Sequence, residues 1–270
     1  EGIYGLPIGI AATYLVLFIV FSSFLEKSGL GTLFNDVSLA LGGRLVGGPA
    51  KVAVIGSALV GMISGSAATN VATSGAFTIP LMKKIGYKPY FAGAIEAAAS
   101  TGGQIMPPIM GTGAFIMAEF LGVPYISIAA AAVIPAVLYF AAVFFQVDLR
   151  ARKIGLTGLS KEELPDVKKT LLRYGHMFLP IIILVVLLMQ HFTPLYAAFY
   201  SILVTWLLSF LRKETRMGVG KLVPMAVASA RSCLSLSVAM ANAGFVVAVL
   251  SMTGIGIILA IGKMLDIIEK

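Results

Sequence analysis

The sequence predicts an all-α polytopic membrane protein with a re-entrant helical hairpin, a discontinuous helix and the beginnings of an inverted repeat. Three observations predict it. Of 270 residues, 59% are hydrophobic and only 12% charged, with a mean hydropathy of +0.97, whereas a soluble domain carries about 25% charged residues. A water-soluble globule of this size could not hide so much apolar surface. Several apolar runs approach the roughly 20 residues that a bilayer crossing needs. Two further apolar runs are broken at their centres by small polar residues, glycine and proline. The formal charge of +8 does not imply a nucleic-acid partner. The basic residues sit in connections between apolar runs, not on a solvated face with interleaved aromatics.

Residues 7–25, 125–147, 195–211 and 234–252 each read as a span, and 176–190 reads as a slightly short one. Between the first span and Lys51, residues 29–48 mix Asn35, Asp36 and Arg44 with apolar side chains. That mixture predicts an amphipathic interfacial helix and a glycine-rich turn. Residues 52–82 are interrupted by Ser64-Gly65-Ser66-Ala67-Ala68-Thr69-Asn70, which leaves arms at 52–63 and 71–82, each too short to cross. Residues 91–122 are broken by Ser100-Thr101-Gly102-Gly103-Gln104-Ile105-Met106-Pro107-Pro108. Backbone polar groups cannot stay unpaired against lipid, so breaks at membrane depth are buried in protein or line a wet cavity.

Lysine and arginine placement sets the orientation. If residues 7–25 end in the cytoplasm and 52–82 enter and leave on one side, then Lys27, Arg44, Lys51, Lys83, Lys84 and Lys88 are cytoplasmic. Residues 91–122 then cross outward and 125–147 return. This brings Arg150, Arg152, Lys153, Lys161, Lys168, Lys169 and Arg173 to the same side, and a further pair of spans adds Arg212, Lys213, Arg216 and Lys221. The outer connections near 122–124 and 191–194 carry no lysine or arginine. A single crossing at 52–82 would move Lys83, Lys84 and Lys88 across, so the charges support the hairpin independently of its length. Ser28-Gly29-Leu30-Gly31 follows the first span and Thr253-Gly254-Ile255-Gly256 the last. These two spans run in opposite directions, as inverted repeats do in secondary transporters.

Two facing breaks made of half-helices assemble a site near the membrane midplane. Half-helices ending near Ile63 and Ser100 aim C-terminal carbonyls at it, which suits a cation such as Na+. Those starting near Val71 and Ile109 aim N–H groups at it, which suits a carboxylate. Ser64, Ser66, Thr69, Asn70, Ser100, Thr101 and Gln104 supply hydroxyl and amide ligands. Gly65, Gly102 and Gly103 permit close approach, and Pro107 and Pro108 stop a continuous helix from forming. Na+ is expected near Ser66, Asn70 and Gly102. Small residues also pack helices closely, but clusters that are both polar and helix-breaking favour a site. Glu96, about two turns before Gly102, is a candidate coupling carboxylate, and Glu119 is placed near the outer interface. Cys233, His176 and His191 form neither a disulfide pair nor a metal-ligand spacing. No nucleophile–base set or phosphate loop occurs, so neither enzyme chemistry nor an organic cofactor is expected.

The run from Ser64 to Asn70, followed by Phe77-Thr-Ile-Pro-Leu-Met-Lys-Lys-Ile-Gly-Tyr87, resembles the large membrane subunit of tripartite ATP-independent periplasmic (TRAP) transporters. So do the run from Phe91 through Glu96 to Pro108 and Ala114-Phe-Ile-Met-Ala-Glu119. The likeness covers essentially the whole chain, is strongest over 42–125, and is closest to the branch with fused small and large subunits, which is associated with TAXI-type binding proteins. It implies a multi-pass permease of a bacterial or archaeal cytoplasmic (inner) membrane. Such a permease imports organic acids with Na+, receives them from an extracytoplasmic solute-binding protein, and moves a transport domain against a scaffold as an elevator. The family's hairpin-tip motif maps onto Ser64, Gly65, Ser66, Ala67, Thr69 and Asn70, and its unwound-helix motif onto Gly102, Gly103, Pro107 and Pro108.

On that basis residues 1–43 are expected to hold a scaffold span and arm helix, and 44–147 a transport half-domain. Residues 148–174 are expected to be a cytoplasmic loop, and 175–270 scaffold spans and the start of a second repeat. The chain begins at Glu1 without an initiator methionine. It lacks the family's small subunit, first large-subunit helices and second hairpin, so it is expected to be a piece of a longer protein holding half of the site. A binding-protein-independent anion or dicarboxylate–Na+ symporter is the main alternative, with a channel or structural membrane subunit behind it. H+ coupling through Glu96 is the alternative to Na+.

Overall fold

The computed structural model describes residues 2–254, and every regular element among them is helical. Helix α1 (Leu6–Lys27) is a membrane-length apolar helix that passes through one π-helical turn at Ala11–Leu15. Its buried face carries Phe18, Phe21 and Leu25. Gly29, at φ +90°, turns the chain into α2 (Leu30–Gly42), and a side chain there would strike the Tyr174 ring. The residues read as an interfacial helix do form one, but protein covers its apolar face. Leu30, Leu33 and Phe34 are fully buried, Phe34 lies against Phe178, and α2 runs along the next helix.

The hairpin is α3 (Gly48–Ser64) and α4 (Ala67–Lys84), joined by Gly65 and Ser66. Its arms have 17 and 18 residues, longer than the sequence predicts. The helices continue through Lys51 at one end and Lys83–Lys84 at the other, charged residues that end an apolar run without ending a helix. At 1.5 Å per residue each arm rises about 26 Å. The second arm starts at Ala67 rather than near Val71, so Thr69 and Asn70 lie in its first turn.

Helix α5 (Pro89–Gly102) packs against both arms. A 3-10 turn at Gly103–Ile105 and an irregular stretch at 106–111 follow, and α6 (Thr112–Leu121) resumes three residues later than predicted. Helix α7 (Tyr125–Lys153) outlasts its apolar run by six residues. A short α8 (Val167–Tyr174), N-capped by Asp166, is tied to α2 by Thr170 donating to Asp36 at 2.6 Å. Helices α9 (Leu179–Met189) and α10 (Pro194–Ser209) form an antiparallel pair. The last, α11 (Val219–Thr253), spans 35 residues where 234–252 is predicted, because the helix continues upstream through the exposed Arg231. Ile255 and Gly256 of the second repeat signature lie outside the described residues.

Two large apolar cores and a small cluster around Leu39, Val52 and Leu159 result among the described residues. One joins α1, α2, α6, α9 and α10 around Phe18, Phe21, Leu33 and Leu184, and takes in Val60 and Ile63 at the tip end of α3 and Ile109 and Met110 of the break. The other joins α3, α4, α5 and α7 around Ala53, Met82, Ala99 and Phe140. The second is pinned at its charged end by Lys51, 3% exposed, whose Nζ lies 2.5 Å from Asp148, while Arg152 holds the other Asp148 oxygen at 2.8 Å. Removing one partner of a buried pair strands the other charge, at a cost of roughly 3–5 kcal/mol. Arg152 still pairs with Asp148, so the expected cost of Lys51→Ala is nearer the lower end. It should show as a lower thermal midpoint of the purified protein, with Lys51→Arg close to wild type.

Candidate functional site

The hairpin tip and the break in the second helix meet. Ile109 N–H donates to Met62 O at 3.2 Å, which joins the irregular stretch to the last turn of α3. Gly65, at φ +58°, sits so close to Met110 that a Cβ would lie 2.5 Å from its carbonyl oxygen. Gly111 N–H closes the break on itself by donating to Gln104 O at 2.7 Å. Tyr125, at the start of α7, clamps the same stretch: its hydroxyl donates to Pro108 O at 2.8 Å and accepts from Met110 N at 3.2 Å. The Pro107–Pro108 peptide is cis.

Below the tip the two backbones touch. A Cβ on Gly61 would lie 2.4 Å from Gly103 Cα, and one on Gly103 would lie 2.8 Å from Asn70 Nδ2. Gly102 faces the other way, onto the rings of Tyr139 and Phe140 in α7. Gly103, rather than Gly102, is therefore the glycine that approaches the hairpin.

The predicted residues divide into three groups. Ser64, Gly65, Ser66 and Thr69 line a cavity of about 410 Å³ between the tip, α1, α6 and α11, and Gly65, Ser66 and Gln104 also line an adjoining cavity of about 640 Å³ against α6, α7 and α11. Ser66 caps α4 by accepting from Thr69 N at 3.4 Å, and Ala67 is the first helical residue after it. Asn70 and Ser100 are fully buried between helices. Asn70 Nδ2 donates to Ser57 O at 2.8 Å. Thr101 is exposed, and its hydroxyl donates to Ala97 O within its own helix.

Glu96 is fully buried inside the second core. Four hydroxyls surround its carboxylate. Ser74 and Thr78 of α4 approach one oxygen each, while Ser57 of α3 (3.3 Å) and Ser100 of α5 (3.2 Å) reach the oxygen that Ser74 holds. No basic side chain is paired with it among the described residues. Sequence reading did not single out Ser57, Ser74, Thr78 or Tyr125. The available signal was spacing: Asn70, Ser74 and Thr78 recur every four residues and form one polar stripe on α4, and Glu96 and Ser100 do the same on α5.

A family model described as "Tripartite ATP-independent periplasmic transporter, DctM component" matches residues 4–268. The chain belongs to the DctM family. It is 25% identical over 193 residues to a putative TRAP transporter large permease protein of Haemophilus influenzae, covering 70% of this chain and 45% of that one. It is 39% identical over 92 residues to the isethionate TRAP transporter permease protein DctMQ of Oleidesulfovibrio alaskensis, covering 34% of this chain and 14% of the relative. It is also 32% identical over 100 residues to an uncharacterized Salmonella typhimurium protein, YgiK, covering 37% and 23%. The chain thus spans less than half the length of these curated relatives. DctM proteins are transporter components, not enzymes, and the four membrane-length helical stretches of this DctM chain fit a multi-pass permease.

Proposed function

We propose that this DctM chain supplies the first half of the ion- and substrate-handling site of a secondary transporter. That transporter imports organic acids with Na+ and takes them from an extracytoplasmic solute-binding protein in the cytoplasmic membrane. One observation carries the reading: the hairpin tip and the broken helix are bonded to each other, and both open on the same two cavities. At that junction the α4 N-terminus at Ser66–Ala67 and the α6 N-terminus at Thr112 offer N–H groups to an anion. The α3 C-terminus at Ser64 offers carbonyls to a cation. The relative named an isethionate permease fits an organic-anion cargo, and its DctMQ name fits a small membrane subunit fused to the large one. The fused, TAXI-associated branch and an elevator motion belong to the same reading.

The test is uptake by the complete transporter in proteoliposomes, with and without its binding protein and across a Na+ series. Ser66→Ala removes the cap and a cavity hydroxyl; Asn70→Ala removes the amide at Gly61–Gly103. Each should raise the half-saturating Na+ concentration several-fold. Unchanged Na+ dependence in both variants would reject the assignment, and full uptake without the binding protein would favour the binding-protein-independent symporter.

A second reading, H+ coupling at Glu96, rests on its hydroxyl cradle. Each hydroxyl carries one proton. Besides the carboxylate, the Ser74 hydroxyl reaches Asn70 O at 2.8 Å and the Thr78 hydroxyl reaches Ser74 O at 3.0 Å. With Glu96 ionised both can donate to it. With Glu96 protonated they can turn to those backbone carbonyls and accept from it. The cradle accommodates either state without moving a heavy atom.

A further inference from the structure

The function proposed above makes no use of Glu26. This carboxylate stands in the last turn of α1, and one of its oxygens is buried with no hydrogen-bond partner among the described residues. It lines the 410 Å³ cavity that also holds the hairpin tip. Ser64, the last residue of α3, lines the same cavity, and its hydroxyl is likewise buried and unpartnered. The rest of the polar wall comes from Ser22 and Ser23 of α1, Ser66 and Thr69 of the hairpin, Thr112 of α6 and Ser232 and Ser235 of α11, and no lysine, arginine or histidine lines it among the described residues. The cavity flanks α1 from Leu15 to Glu26, a rise of about 16 Å.

Three unfavourable terms meet at Glu26. One of its oxygens is withdrawn from water, it has no ion-pair partner among the described residues, and it lies at the negative end of a helix. A small cation relieves all three, and the surrounding hydroxyls are the hard oxygen ligands that such an ion takes. We propose that Glu26 and Ser64 bind a monovalent cation, Na+, at the seam between the first span and the hairpin tip. Glu26 thereby adds a charged ligand from α1 to the cavity that Ser66 and the helix break also line. Glu26 belongs to α1 and Ser64 to the hairpin, so the ion favours the arrangement in which the tip lies against α1, by the difference in its affinity for the two arrangements. The idea rests on the Na+-symport reading for its role in transport, but not for its existence.

The thermal midpoint of the purified complete transporter, followed against NaCl with choline chloride as control, tests it. Losing a charged ligand costs a factor of about ten or more in affinity. In Glu26→Gln the half-saturating Na+ concentration should therefore rise at least about tenfold, and in Ser64→Ala by a smaller factor. Unchanged Na+ titrations in both variants overturn the site. A wild-type midpoint that moves with pH but not with Na+ overturns it too, since the occupant is then a proton. If Glu26→Gln shifts the titration while wild-type uptake proves independent of Na+, the cation site stands and the symport reading falls.

Discussion

Glu96→Gln in the complete transporter is expected to fold and bind Na+, and under the H+ reading to lose the pH dependence of uptake. The amide has the shape of the protonated acid and cannot ionise, so it holds the cradle in one of its two hydrogen-bond patterns. Glu96→Ala should behave differently. It leaves a cavity and up to four buried hydroxyls without their acceptor, which costs on the order of 3 kcal/mol or more. It should lower the thermal midpoint and the yield of folded protein. The pair of variants separates the two possible duties of the carboxylate. If Gln and Ala fail alike in stability while the remaining uptake keeps its pH profile, Glu96 is a structural residue and the H+ reading is wrong. If Gln is stable and its uptake no longer responds to pH, the proton moves through this position.

Gly61→Ala is expected to be nearly as damaging although it touches no cavity. The added methyl would sit 2.4 Å from Gly103 Cα, so the two backbones must part by roughly 1 Å to reach ordinary contact. Overpacking of this kind costs about 1–3 kcal/mol. Because Gly103 opens the break, the displacement passes to the stretch held by Met62 and Tyr125. Substrate half-saturation in proteoliposome uptake should rise at least several-fold, with a smaller loss of folded protein. Gly93→Ala is the control, on the same helix as the break but with open space around it. Equal behaviour of the two variants would show that the glycine contact does not set the site.

The hairpin and the break were legible because their punctuation is chemical. Ser-Gly-Ser and Gly-Gly with Pro-Pro cannot continue a helix in lipid, and no packing context reverses that. Their edges were less legible. Thr69 and Asn70 read as part of the turn because they are polar, yet Ser66 caps the helix before them by accepting from Thr69 N, and the Asn70 side chain bonds inward. The stretch after Pro108 runs to Gly111 because its N–H groups are already taken by Met62 O and Gln104 O, partners that belong to other segments. Helix α11 was cut short because Arg231 interrupts the apolar run, although an exposed arginine breaks hydropathy without breaking a helix.

The Glu96 cradle shows the same limit. Its members average out within apolar arms, and only the four-residue spacing along α4 and α5 betrays them. Glu26 was not singled out, because with Lys27 it reads simply as the charged end of the first apolar run. Its neighbours in space, Ser64 and the serines of α11, are far away in sequence.

The two adjacent glycines of the break have a mechanical consequence. Gly102 is pressed on the rings of α7 and Gly103 on the backbone of α3, so at the Gly61–Gly103 contact no side chain lies between hairpin and break to absorb a push. Close-packed interiors transmit strain, and here the path is main chain against main chain. At that contact the hairpin and α5 have no compliant joint. Greater compliance is left to the serine-lined gap along α1, where the walls are separate helices around a cavity. Deformation of this half of the protein will concentrate there, as it does in a stiff plate resting on one soft gasket.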